Sequence, residues 1–111
     1  MKRPEPPLFM ERFDEKKVPE KGTLRLEAKV TGNPVPQVTW YRNNEVLQPS
    51  PNVKQSFDGE NIVLEITGAD SEVDSGDYKC VATNPVGKAS HGAKVTVDVP
   101  KVYVQLLFII D

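Results

Sequence analysis

At 111 residues the chain is long enough for one domain with short extensions. A net charge of −2 and a pI near 5.4 leave no basic footprint for nucleic acid or an anionic membrane. With 10 Pro and 7 Gly the chain turns too often for a helical bundle, and its single Cys excludes an internal disulfide. Residues 1–7 are polar and proline-rich, and read as a linker or a leader from outside the domain. Leu8-Phe9-Met10 is a short apolar run behind two prolines, which suits the start of an edge strand. Glu11 to Val18 is charged and reads as the same edge continued past a kink, with Lys16 and Lys17 blunting it against unwanted pairing.

From Leu24 the chain alternates, with Leu24, Leu26, Ala28 and Val30 on one face and Arg25, Glu27, Lys29 and Thr31 on the other. That period of two predicts a half-buried strand. Gly32-Asn33-Pro34-Val35-Pro36 ends it. Val38 and Trp40 face inward on the next strand, Arg42 to Glu45 turns, and Val46-Leu47 forms a stub. Val53 to Phe57 predicts an edge strand, with Asp58-Gly59 as its hairpin turn. Ile62, Leu64 and Ile66 point inward next, and Gly68 to Ser75 is a crossover. Tyr78, Cys80 and Ala82 are the inward positions of a central late strand, and Asn84-Pro85-Val86-Gly87 is a compact turn. Ala93, Val95 and Val97 face inward on the last strand. Short strands with regular turn signals and no helical period predict an all-β, two-sheet antiparallel sandwich.

The run Leu26-x-Ala28-x-Val30-x-Gly32-Asn33-Pro34-x-Pro36-x-Val38-x-Trp40, followed by Asp74-x-Gly76-x-Tyr78-x-Cys80-x-Ala82-x-Asn84-x-x-Gly87, resembles the intermediate-set immunoglobulin domains. It is most similar to those of the intracellular giant muscle proteins, the titin, twitchin, projectin and obscurin group. The resemblance spans residues 8–99 and implies an immunoglobulin-like sandwich, a cytoskeletal setting and a non-enzymatic role. Two positions depart from the family pattern. Ala28 stands where the disulfide partner of Cys80 is expected, and the crossover from Ala69 to Asp74 holds one extra residue around Val73. A 28–80 bridge would close a loop of roughly 52 residues and contribute about 4 kcal/mol. Doing without it is easiest in a reducing compartment. With no Asn-x-Ser/Thr sequon and no leader-like apolar run behind Met1, the expected location is cytoplasmic, in a sarcomere or cytoskeleton.

The expected core anchor is Ala28, Trp40, Tyr78 and Cys80, with Asp74 and Gly76 forming a corner turn. The resemblance implies that the Tyr78 hydroxyl bonds back to the crossover backbone. His91, the only histidine, has no ligand spacing to Cys80 and is expected to face solvent. Asp70, Glu72, Asp74 and Asp77 do not follow the calcium-loop spacing and read as a capping network. No metal, cofactor or nucleophile–base pair is implied, so enzyme activity is not expected.

Residues 100–111 form a hydrophobic tail, in which Val102 to Ile110 are apolar or aromatic apart from Gln105. It is too short for a membrane-spanning helix and has the composition of a strand seeking a partner. It reads as a connector, as non-native sequence, or as an added strand that supports self-association. The expected partners are neighbouring domains and filament or cytoskeletal proteins, with no nucleic acid and no membrane. The expected contact residues are Asn33, Pro34, Pro36, Asn84 and Gly87, with Val102, Val104, Leu106 and Phe108 in the tail. The overall expectation is a mechanically resistant spacer and docking module. The alternatives are an extracellular adhesion or receptor domain lacking its bridge, and a regulatory domain beside a kinase.

Overall fold

The alternation along each strand assigns it a face, and two such faces close on each other. A computed structural model describes residues 3–99. Its strands are β1 (Glu5–Glu11), β2 (Lys16–Pro19), β3 (Leu24–Asn33), β4 (Gln37–Arg42), β5 (Glu45–Val46), β6 (Val53–Phe57), β7 (Asn61–Ile66), β8 (Gly76–Asn84) and β9 (Gly87–Asp98). One sheet has the order β1-β3-β7-β6 and the other β2-β9-β8-β4-β5. All pairings are antiparallel except β2 with β9, which run parallel from Lys16↔Val95 to Pro19↔Asp98.

The alternating residues of β3 and β7 supply one wall of the core. Leu24, Leu26, Val30, Ile62, Leu64 and Ile66 are fully buried. Trp40, Tyr78, Cys80, Ala82, Val95 and Val97 supply the other wall. Removing this much apolar side chain from water is the main stabilising term of a domain this small. The outward face of β3 carries its own compensation, since Arg25 reaches both Glu27 and Glu65 at 3.0 Å. These pairs are solvent-exposed and contribute little to stability.

The amino-terminal region differs from its sequence reading in two places. First, residues 5–7 are strand rather than linker. Pro7 is buried, and the carbonyls of Arg3 and Glu5 accept hydrogen bonds from Asn33 Nδ2 (2.8 Å) and Asn84 Nδ2 (2.7 Å). Local composition marks these residues as polar and proline-rich, but side chains about 30 and 79 positions away hold them in place. Second, Glu11 to Val18 is not one kinked edge. The chain leaves β3 after β1, crosses the sandwich, and joins the opposite sheet as β2. Phe13 makes the crossing possible. It is 3% exposed and inserts its ring 5.4 Å from that of Trp40.

His91 is also placed differently from expectation. It sits half-buried over the same crossing, with its ring edge-on to Phe13 at 4.6 Å. Its Nε2 lies 2.6 Å from the Phe13 carbonyl oxygen, which can only accept, so Nε2 carries the proton. The loop Arg12–Glu15 is thus pinned by one polar and one aromatic contact to β9. The tail, residues 100–111, lies outside the described residues.

Candidate protein-interaction surface

The residues singled out as a core anchor meet at the sandwich centre. Trp40 pairs with Cys80 across β4 and β8, and both are buried. Ala28 lies on β3 in the opposite sheet, 4% exposed. Burial pushes the Cys80 thiol up to about 12, so it stays protonated and is a poor nucleophile or ligand. This constellation is packing, with no exposed chemistry.

Tyr78 and the crossover form a polar seam at one end of the core. The Tyr78 hydroxyl donates to the Asp74 carbonyl at 2.7 Å, and burial raises its pKa. The Asp74 carboxylate is itself buried. Its Oδ2 accepts from the Asp70 amide at 2.8 Å, and its Oδ1 lies 3.6 Å from Arg42. Asp70 Oδ1 accepts in turn from the amides of Glu72 and Val73. The acidic residues are therefore engaged in closing a turn, and Val73 is extruded to solvent. Gly76 follows with φ +148, and a Cβ there would stand 2.6 Å from Asn43 Oδ1. Among the described residues no group of three or more His, Cys, Asp or Glu could hold a metal. None of their helices is long and apolar enough to cross a membrane.

Tyr78→Phe tests this seam. It leaves a buried carbonyl without its donor, and is expected to cost about 1–3 kcal/mol. Equilibrium urea unfolding reads the loss as a lower midpoint at unchanged slope. An unchanged midpoint would show that water replaces the hydroxyl.

Asn33, Pro34, Pro36, Asn84 and Gly87 do come together, at the end of the sandwich where β1 begins. Most of them are engaged internally. Asn84 Nδ2 bridges Glu5 O and Pro34 O, while its Oδ1 accepts from the amides of Val86 and Gly87. Pro36 is buried. Gly87 is required for close approach, since a Cβ there would come 2.8 Å from Pro6 Cβ. What this end offers outward is Val35 at 62% and Val86 at 47% exposure. Both lie within the Gly32–Pro36 loop and the Asn84–Gly87 turn that the sequence marks as contact regions, but a valine inside a turn carries no periodicity to single it out. Val102, Val104, Leu106 and Phe108 lie outside the described residues.

Residues 7–97 match the family model described as Immunoglobulin I-set domain. A 98-residue stretch is 61% identical to titin of Drosophila melanogaster, covering 88% of this chain and, to the nearest per cent, 0% of that protein. Mouse palladin is 34% identical over 95 residues, covering 86% of this chain and 7% of its own length. The chain thus spans only a small fraction of these relatives. The solved structure of titin M4 superposes with a TM-score of 0.84 at 30% identity, covering 87% of this chain and 100% of that one. The titin M10 complex with obscurin like 1 Ig matches with a TM-score of 0.82 at 32% identity, over 86% of this chain and 97% of that one.

Proposed function

Because the chain belongs to the immunoglobulin I-set family, we propose that it serves as a non-enzymatic spacer and protein-docking module within a longer muscle or cytoskeletal protein. The observation that carries this reading is the parallel pairing of β2 with β9. The chain enters near Asn33 and Asn84 at one end and leaves after Asp98 at the other, where the Glu20 amide bonds to the Asp98 carbonyl at 2.8 Å. Tension on the two ends then draws β2 and β9 past each other. Their hydrogen bonds lie across the direction of pull, so they are strained together rather than unzipped one at a time. The lone buried thiol and the absence of any disulfide suit a reducing, cytoplasmic location such as the sarcomere.

Docking in this reading uses the amino-terminal end, where Val35 and Val86 flank the entering chain. A preceding domain would sit against them. The complex of titin M10 with obscurin like 1 supports protein partners for domains of this shape. Single-molecule pulling of a tandem array tests the mechanical role. The expected result is a distinct unfolding event for each domain. Domains that open at negligible force would remove the load-bearing role while leaving docking in place.

A further inference from the structure

The two sheets carry their outward charges differently. On the four-stranded sheet the cations are neutralised in place. Arg25 reaches Glu27 and Glu65 at 3.0 Å, and Lys29 reaches Glu11 at 4.0 Å. On the five-stranded sheet, the alternation that buries Tyr78, Cys80, Val95 and Val97 turns Lys79 and Lys94 outward. Val18 packs against the core, so its neighbour Lys17 points outward as well. Among the described residues, none of these lysines forms an ion pair. Lys88 adds a further positive charge to this face, and Asp77 and Asp98 add negative ones.

Strand register aligns the unpaired lysines. Lys79 pairs with Gly92, and Lys94 lies two residues further along β9. Thr96, two further again, pairs with Lys17. Each lysine is therefore one strand over and two residues along from the last, a step of about 8 Å. Gly92 adds no side chain beside them, and a Cβ there would stand 3.8 Å from that of Lys79. On its other side Lys79 lies over the Tyr41 ring, 5.2 Å from the centroid. Tyr41 is half-buried and pairs with Val46, which is 51% exposed. The row of cations thus begins at an aromatic and an aliphatic side chain that water still reaches.

We propose that this face binds an acidic, extended segment of a partner protein. Carboxylates at alternate residues of that segment meet Lys79, Lys94 and Lys17, and an apolar side chain covers Tyr41 and Val46. Alternate residues of an extended chain lie about 6.8 Å apart, and flexible lysine side chains close the difference from the 8 Å step. The charge pattern selects a protein over other anions. Asp77 lies opposite Lys94, and Asp98 follows Thr96 on the same outward face. A segment with spaced carboxylates sets its charges on the lysines and neutral residues over the aspartates. Duplex DNA brings a charge about every 1.7 Å, and an anionic membrane a continuous layer of them, so both meet the aspartates too. The net charge of −2 on the whole chain repels them further. Binding here needs neither the amino-terminal end nor the mechanical role.

The probe is the acetylated peptide Phe-Thr-Glu-Thr-Glu-Thr-Glu, titrated into the full chain while backbone amide shifts are followed. The amides of Lys17, Lys79, Gly92 and Lys94 are expected to move, and those of Asn61 and Glu65 on the opposite sheet to stay. The same peptide with Gln in place of each Glu should bind about tenfold more weakly, since it forms no ion pairs. Lys79→Gln with Lys94→Gln should weaken the Glu peptide by about fivefold, while Lys29→Gln on the other sheet leaves its affinity unchanged. If that double variant does not fold, Lys17→Gln with Lys94→Gln replaces it, with the same loss expected. An absence of shifts at about 1 mM peptide would overturn the proposal. So would equal binding of the Gln peptide, or shifts confined to residues outside this face. Tighter binding of a short DNA duplex or of phosphatidylserine vesicles would overturn it too, since the face would then respond to charge density rather than to a peptide.

Discussion

Trp40→Ala is expected to lower folding stability by about 3–5 kcal/mol. Trp40 is the largest fully buried side chain, 2% exposed, and is paired with Cys80, whose expected disulfide partner is replaced by Ala28. Around it stand Cys80 on the paired strand, Phe13 from the crossing loop, and the small Ala28 in the facing sheet. None of these can expand into the space that an indole leaves. The cavity therefore persists, and its walls lose their dispersion contacts. Domains of this size are stable by only about 5–15 kcal/mol, so the loss is a large share. A thermal melt should show the midpoint falling by more than about 12 °C. A drop of only a few degrees would mean that Phe13 and Leu47 collapse into the site and that the centre of the core is elsewhere.

Phe13→Ala is expected to cost about 3 kcal/mol, near the lower end for a buried aromatic. The ring is 3% exposed, although it comes from a four-residue link between strands. Its loss should also have a local signature. The contacts with Trp40 and His91 hold the point where the chain passes from one sheet to the other. Without them β2 has only its short parallel ladder with β9. Amides of β2 should then exchange faster than those of β7, and the pulling force at which the domain opens should fall. Uniform loss of protection across all strands would show that Phe13 is ordinary core, with no special hold on β2.

The two substitutions separate what could be read from the chain. Trp40 was identifiable because its strand alternates and because Tyr78 and Cys80 sit at a recognisable spacing. Phe13 was not, since Arg12, Asp14 and Glu15 surround it with charge and no period runs through them. The sequence around His91 points it to solvent for a similar reason. Its neighbours Ser90 and Gly92 are small and polar, and nothing local announces a ring arriving from residue 13. The expected contact residues have an internal role that local sequence does not announce. Asn33, Pro34, Asn84 and Gly87 lie in turns, and together they form the clasp that turns residues 3–7 into part of the sandwich.

The sequence by itself determined the fold class, the inward set Leu24 to Val30, Ile62 to Ile66 and Tyr78 to Ala82, and the lack of an internal disulfide. These follow from short-range facts: a period of two, a residue count, and the spacing of turn residues. Tertiary structure alone decided the sheet switch at Phe13, the seat of His91, the exposure of Val35 and Val86, and which lysines align on one face. The physical reason is common to all four. Each depends on which distant segment fills a space or takes a hydrogen bond, and a side chain's neighbours in sequence do not record its neighbours across the core.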